Sequence, residues 1–120
     1  MYTATTRAIQ VTVTPQYLPQ QSDPAKSTFV WAYFVRIENR GNIAVQLKSR
    51  YWKITDGLGR VQEVRGPGVV GKTPLLRPGE VFEYNSGTPL STPSGFMSGT
   101  YQMVSEGGES FDIEIPTFSL

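Results

Sequence analysis

Residues 66–73 read Gly66-Pro67-Gly68-Val69-Val70-Gly71-Lys72-Thr73. A run of this kind serves phosphate chemistry when its backbone N–H groups converge on an anion. Gly66, Gly68 and Gly71 satisfy the dinucleotide fingerprint G-x-G-x-x-G, while Gly66, Gly71, Lys72 and Thr73 satisfy the P-loop pattern G-x-x-x-x-G-K-[ST]. Both patterns owe their affinity to a helix that opens straight after the loop and turns its free N–H groups toward the phosphate. Here Thr73 is followed by Pro74-Leu75-Leu76-Arg77-Pro78-Gly79. The second proline would remove a helical hydrogen bond and clash with the preceding turn. Glu83 falls near the spacing of a ribose-binding acid, but no helical pattern intervenes. The octet is therefore expected to be a structural crossover that holds ATP or NAD no better than about millimolar. The alternative is an anion- or nucleotide-binding loop in which exposed N–H groups form a nest assisted by Lys72.

Other chemistry is thinly supplied. The chain has no cysteine and no histidine, so it lacks thiolate ligands, the commonest transition-metal ligand and the usual base near neutral pH. Asp112 and Glu114 lie two apart on one strand face, and Glu106 and Glu109 flank a turn. Such carboxylates can bind hard cations, yet acids alternating with an isoleucine face also describe a solvated strand. Lys48, Arg50 and Lys53 form a basic trio that suits an anionic partner or a solvated edge. No serine has a base at a telling spacing. These readings predict no catalytic residue, no metal site and no cofactor. A hydrolase of pyrophosphate-like substrates is the enzymatic alternative.

The elements that would carry these residues are strands. Ile9, Val11 and Val13 alternate with Gln10, Thr12 and Thr14. Phe29, Trp31, Tyr33, Val35 and Ile37 form a continuous odd-numbered apolar face. Val45 and Leu47 are odd but Trp52 and Ile54 are even, so a strand across 45–54 needs an extra residue, placed near Ser49–Tyr51. Arg60–Arg65, Val81–Tyr84, Phe96–Val104 and Phe111–Ile115 follow, with Pro116 expected to stop the last strand. Residues 15–27, rich in proline, read as a loop. Seven strands without helical periodicity predict one domain, 1–120, folded as an antiparallel β-sandwich of immunoglobulin or fibronectin type III kind. Trp52 is its expected core filler. Phe82 takes the place of the corner tyrosine of such folds and has no hydroxyl to anchor the turn. Tyr51, Tyr84 and Phe96 are candidates for an exposed partner surface.

From Phe29 onward the chain resembles the ApaG family. The resemblance is carried by Glu63-Val64-x-Gly66-x-Gly68-Val69-Val70-Gly71, by Pro74-x-Leu76-x-Pro78-Gly79-Glu80-x-Phe82-x-Tyr84-x-Ser86-Gly87, and by Thr92-Pro93-x-Gly95-x-Met97-x-Gly99-x-Tyr101-x-Met103. It is carried further by Arg50-Tyr51-Trp52 and by Phe111-x-Ile113-x-Ile115-Pro116-x-Phe118-x-Leu120. Thr73 departs from the family pattern, so the Lys-Thr of the P-loop match is not a family feature. The resemblance implies a fibronectin type III-like bacterial protein of the cytoplasm, linked to cobalt resistance and magnesium efflux, whose fold serves elsewhere as a binding module. The resulting expectation is a non-enzymatic protein-binding module acting in Mg/Co homeostasis through a partner of unknown identity. A net charge of +1 favours no nucleic acid, and no run is long enough for membrane insertion.

Overall fold

Alternation of apolar and polar residues builds nearly everything in this molecule. The computed structural model describes residues 1–120. It contains nine strands and no α-helix: β1 Tyr2–Thr6, β2 Ile9–Tyr17, β3 Phe29–Asn39, β4 Val45–Asp56, β5 Val61–Pro67, β6 Leu75–Leu76, β7 Val81–Leu90, β8 Gly95–Ser105 and β9 Ser110–Ser119. One sheet has the order β1-β2-β3-β7 and the other β5-β4-β8-β9, with β6 beside β4. All ladders are antiparallel. The expected sandwich is present, with two strands more than the seven predicted. β1 escaped prediction because its inward positions, Tyr2, Ala4 and Thr6, are only half-buried. β6 is only two residues long.

Two prolines behave differently from expectation. β2 runs through Pro15, which faces Tyr33, and on to Tyr17. Pairing with β1 ends at Val13, so Pro15 lies where β2 has become an edge and a missing N–H is tolerated. β9 likewise continues through Pro116. The ladder there steps from Gly99–Ile115 to Met97–Phe118, so β9 carries an extra residue at Pro116-Thr117 and a bulge absorbs the proline. That continuation seats Phe118 and Leu120 in the core. The segment 18–28 is not a featureless loop; it holds two single-turn 3₁₀ segments, Pro19–Gln21 and Pro24–Lys26.

The extra residue in β4 is real, and it is Lys48: the ladder to β8 shifts between Leu47 and Ser49. Leu47 and Trp52 are thereby both buried. Trp52 stands at the centre of an aromatic cluster, with ring centroids 5.1 Å from Tyr33, 5.9 Å from Phe118 and 6.4 Å from Tyr101. The corner before β7 is held without a tyrosine. Asn39, fully buried, donates through Nδ2 to the carbonyls of Ile43 (2.8 Å) and Leu76 (3.0 Å) and accepts at Oδ1 from Gly41 N–H (2.9 Å). Its backbone accepts from Gly79 N–H and donates to the Glu80 carbonyl.

The two long sides of the sandwich differ. On one, β9 packs against β1 and β2, and Thr6 Oγ1 accepts from Glu114 N–H at 3.1 Å. On the other, β5 and β7 are the free edges, and a cleft runs between them.

Candidate functional site

The glycine octet is tied into this open side. Gly66 and Pro67 end β5, pairing with Arg50 and Ser49. Val69 N–H donates to the Lys72 carbonyl and Lys72 N–H to the Val69 carbonyl, at 2.8 and 2.9 Å, closing a two-residue hairpin. Val70 (φ 45°) and Gly71 (φ 80°) are its corner residues, the pair of positive angles of a type I′ turn. Gly68 N–H is spent on the Lys48 carbonyl at 2.8 Å. Gly68 has φ 60°, and a Cβ there would sit 2.3 Å from the Lys72 carbonyl oxygen. The N–H groups of Gly68, Val69 and Lys72 thus point at backbone oxygens. β6, not a helix, follows the loop. Lys72 and Thr73 are exposed.

What the loop presents to the cleft is its carbonyl side, and a cation meets it. Because the bulge lies at Lys48, Arg50 shares the inward parity of Trp52. Its guanidinium crosses Gly66, where a Cβ would meet Nη1 at 2.9 Å and Cζ at 3.1 Å. Nη1 donates to the carbonyls of Pro67 and Gly68, both at 3.0 Å. A cavity of about 220 Å³ opens beside it, walled by Tyr33, Trp52, Val70, Tyr84 and Ser86. A neighbouring cavity of about 260 Å³ shares Tyr33, Arg50, Trp52 and Ser86 and continues between β5 and β7 past Val64 and Thr88.

Three phenols line or underlie this cleft, and all are held protonated. Burial raises Tyr33, with the Ser86 hydroxyl and the Arg50 charge pulling it partly back. Burial likewise raises Tyr84, opposed by a hydrogen bond from Tyr101. Tyr101, the deepest, is raised well above the ordinary value by burial and by its tyrosine neighbours. The Tyr84 and Tyr101 hydroxyls are in short hydrogen-bond contact.

The three candidate surface aromatics separate. Tyr84 points between the sheets. Tyr51 and Phe96 are on the outer face of the five-stranded sheet, but apart. Tyr51 donates to Glu63 Oε2 at 2.9 Å, with the Arg65 guanidinium 4.3 Å above its ring; the Glu63 hydrogen bond raises its phenol. Phe96 sits farther along, in a row with Thr55 and Val61 across β8, β4 and β5. Phe96 and Val61 are 44% and 52% exposed, and Leu58 at the tip of the same hairpin is 72% exposed. Thr55 between them is buried, its hydroxyl without a protein partner.

The charged candidates also disperse. Lys48 protrudes at the bulge, Arg50 turns inward and Lys53 faces out, so the trio makes no patch. Glu109 pairs with Arg7 at 2.9 Å, and Glu106 accepts from Ala44 N–H at 3.1 Å. Asp112 and Glu114 are exposed on β9. No group of three or more carboxylates gathers as a cation cage would require. Tyr33 and Ser86, directly paired between β3 and β7, are site residues that sequence reasoning missed. Their inward parity was readable, but their meeting with Arg50 was not.

Comparison with known proteins shows what this arrangement is similar to. Residues 19–105 match the family model described as the ApaG domain. Over 120 residues the chain is 65% identical to Protein ApaG of Rhodospirillum centenum and 63% identical to Protein ApaG of Paramagnetospirillum magneticum, covering all of this chain and 92% of each relative. A crystal structure of an ApaA protein from Bordetella pertussis superposes with a TM-score of 0.92 at 57% identity, covering 93% of this chain and 91% of that one.

Proposed function

The chain belongs to the ApaG domain family, and from that premise we propose that it is a non-enzymatic, cytoplasmic protein-binding module serving Mg/Co homeostasis through a partner protein. The observation that carries this reading is the apolar row Val61–Thr55–Phe96, with Leu58 at its end. Exposed apolar side chains gathered at one end of a sheet are unusual on a face otherwise covered by Lys53, Glu63 and Arg65, and they fit a docking surface. Phe96 supplies the aromatic anchor around which interface energy concentrates. The donor set supports action through a partner. Cobalt favours imidazole or thiolate, and magnesium wants carboxylates in octahedral order with water or phosphate. The chain has none of the first two, and its carboxylates are scattered or paired.

The test is capture from a lysate with the intact chain and with Phe96→Asp, each with and without Mg²⁺. A protein retained by the intact chain and lost with Phe96→Asp is the expected result. An identical set of captured proteins for both chains would remove the patch from consideration. Calorimetry of the isolated chain should show no stoichiometric micromolar binding of Co²⁺ or Mg²⁺.

A further inference from the structure

The seven arginines of the chain divide six to one. Arg7, Arg36, Arg40, Arg60, Arg65 and Arg77 are exposed, and each lies within 4 Å of a carboxylate. Arg50 alone is half-buried and has no carboxylate. Nη1 is its only atom that bonds to protein; Nε and Nη2 bond to none. A cation partly withdrawn from water and unmatched by an anion is ready for one, and the fold makes room for this one by placing glycine at position 66.

We propose that the Arg50 cleft is a binding site for a tetrahedral oxyanion, a phosphate or the terminal phosphoryl group of a small molecule. The free edge of the guanidinium presents two donors in a fork that matches two oxygens of such an anion. Tyr33, Tyr84 and Ser86 line the same cavity, and the Tyr33 and Tyr84 hydroxyls can donate to the remaining oxygens, which a carboxylate would lack. Tyr101 can donate to Tyr84, leaving the Tyr84 proton free to point into the cavity. At about 220 Å³ the cavity is smaller than the roughly 300–1,000 Å³ of pockets that enclose drug-sized ligands. It therefore takes an ion or a terminal group, with the adjoining cavity available to what the group is attached to. The glycine motif contributes here through the space above Gly66 and the carbonyls that orient Arg50, not through converging N–H groups.

The experiment is a titration followed by amide and arginine Nε–H resonances at constant ionic strength, with inorganic phosphate, phenyl phosphate and acetate as probes. Phosphate should shift Arg50 Nε–H and the amides of residues 84–87 saturably, with a dissociation constant of about 1 mM or tighter. Tighter binding of phenyl phosphate identifies a terminal phosphoryl group as the ligand, and tighter binding of phosphate identifies the free ion. Arg50→Lys should weaken binding about tenfold, because the fork is lost while the charge stays. Gly66→Ala, whose methyl displaces only the flexible guanidinium, should weaken it similarly with the fold intact. Acetate binding as well as phosphate would overturn the tetrahedral assignment. Shifts that never saturate, that centre on residues 70–73 and vanish with Lys72→Ala, or that survive Gly66→Ala and Arg50→Lys unchanged would overturn the site.

Discussion

Gly68 shows how a single residue can look like a ligand group and act as a hinge of the backbone. Its left-handed φ and the carbonyl 2.3 Å from a virtual Cβ leave no room for any side chain. Gly68→Val should therefore cost about 2–4 kcal/mol, the sum of backbone strain and a forced shift of the Lys72 peptide. Lys72→Ala, at an exposed position without an ion pair, should change stability by less than about 0.5 kcal/mol. Urea unfolding of the two variants checks both numbers; equal losses would mean that the loop is held by its lysine instead. At this scale the sequence was legible for glycine, whose permissiveness is intrinsic. It was not legible for Asn39. The residue sits in a run that reads as a turn, Asn39-Arg40-Gly41-Asn42, and one of its three side-chain hydrogen bonds reaches Leu76, 37 residues away.

Among the elements, β4 decides where the chemistry lies. Parity demanded an extra residue somewhere between Leu47 and Trp52, and the strand has one. Parity could not say which residue, and that choice fixes the face of Arg50. A bulge at Ser49–Tyr51 would have left its direction open, whereas a bulge at Lys48 aims it inward beside Trp52. The same logic makes a deletion test. Removing Lys48 leaves Leu47, Arg50 and Trp52 on one face of a regular strand. That variant should fold, at a loss of about 1–2 kcal/mol for the Gly68 N–H that loses its acceptor. Removing Lys53 throws Ile54 onto the outer face and sets the turn out of register, so that variant should not fold. Thermal melts followed by near-ultraviolet circular dichroism separate the outcomes. β1 and the far end of β9 were the elements hidden from the sequence, one because threonine alternation carries little apolar signal, the other because Pro116 normally ends a strand.

The whole molecule has an unusual titration profile. Without imidazole or thiol, its side chains link no proton to folding between roughly pH 6 and 9, so stability should be flat there. On the acid side, Asp56 is desolvated, but hydrogen bonds from the Arg60 and Leu58 backbones and the Arg60 side chain outweigh this and lower it. Arg36 and Arg40 lower Glu38. A lowered carboxylate contributes stability above its unfolded value, about pH 4, and loses it as pH falls through the folded value. On the alkaline side the sign reverses. Tyr33, Tyr84 and Tyr101 are raised, so their contribution is complete below about pH 10 and is lost as pH climbs beyond it. Melting temperature should hold level between these limits and fall beyond both, and Tyr84→Phe should flatten the alkaline fall. The share of phenolate absorbance that belongs to these three rings should rise in step with unfolding, not before it. The unequal sides of the sandwich carry one more consequence, written in time rather than energy. β5 is hydrogen-bonded as a strand to β4 alone, whereas β9 pairs with β8 and packs against β1 and β2. Amide hydrogens of β5 should therefore exchange with deuterium through local opening, well ahead of those in β8, which await global unfolding. A ligand seated between β5 and β7 would slow that exchange from the open side alone, so the clock of a few amides would report occupancy of the cleft.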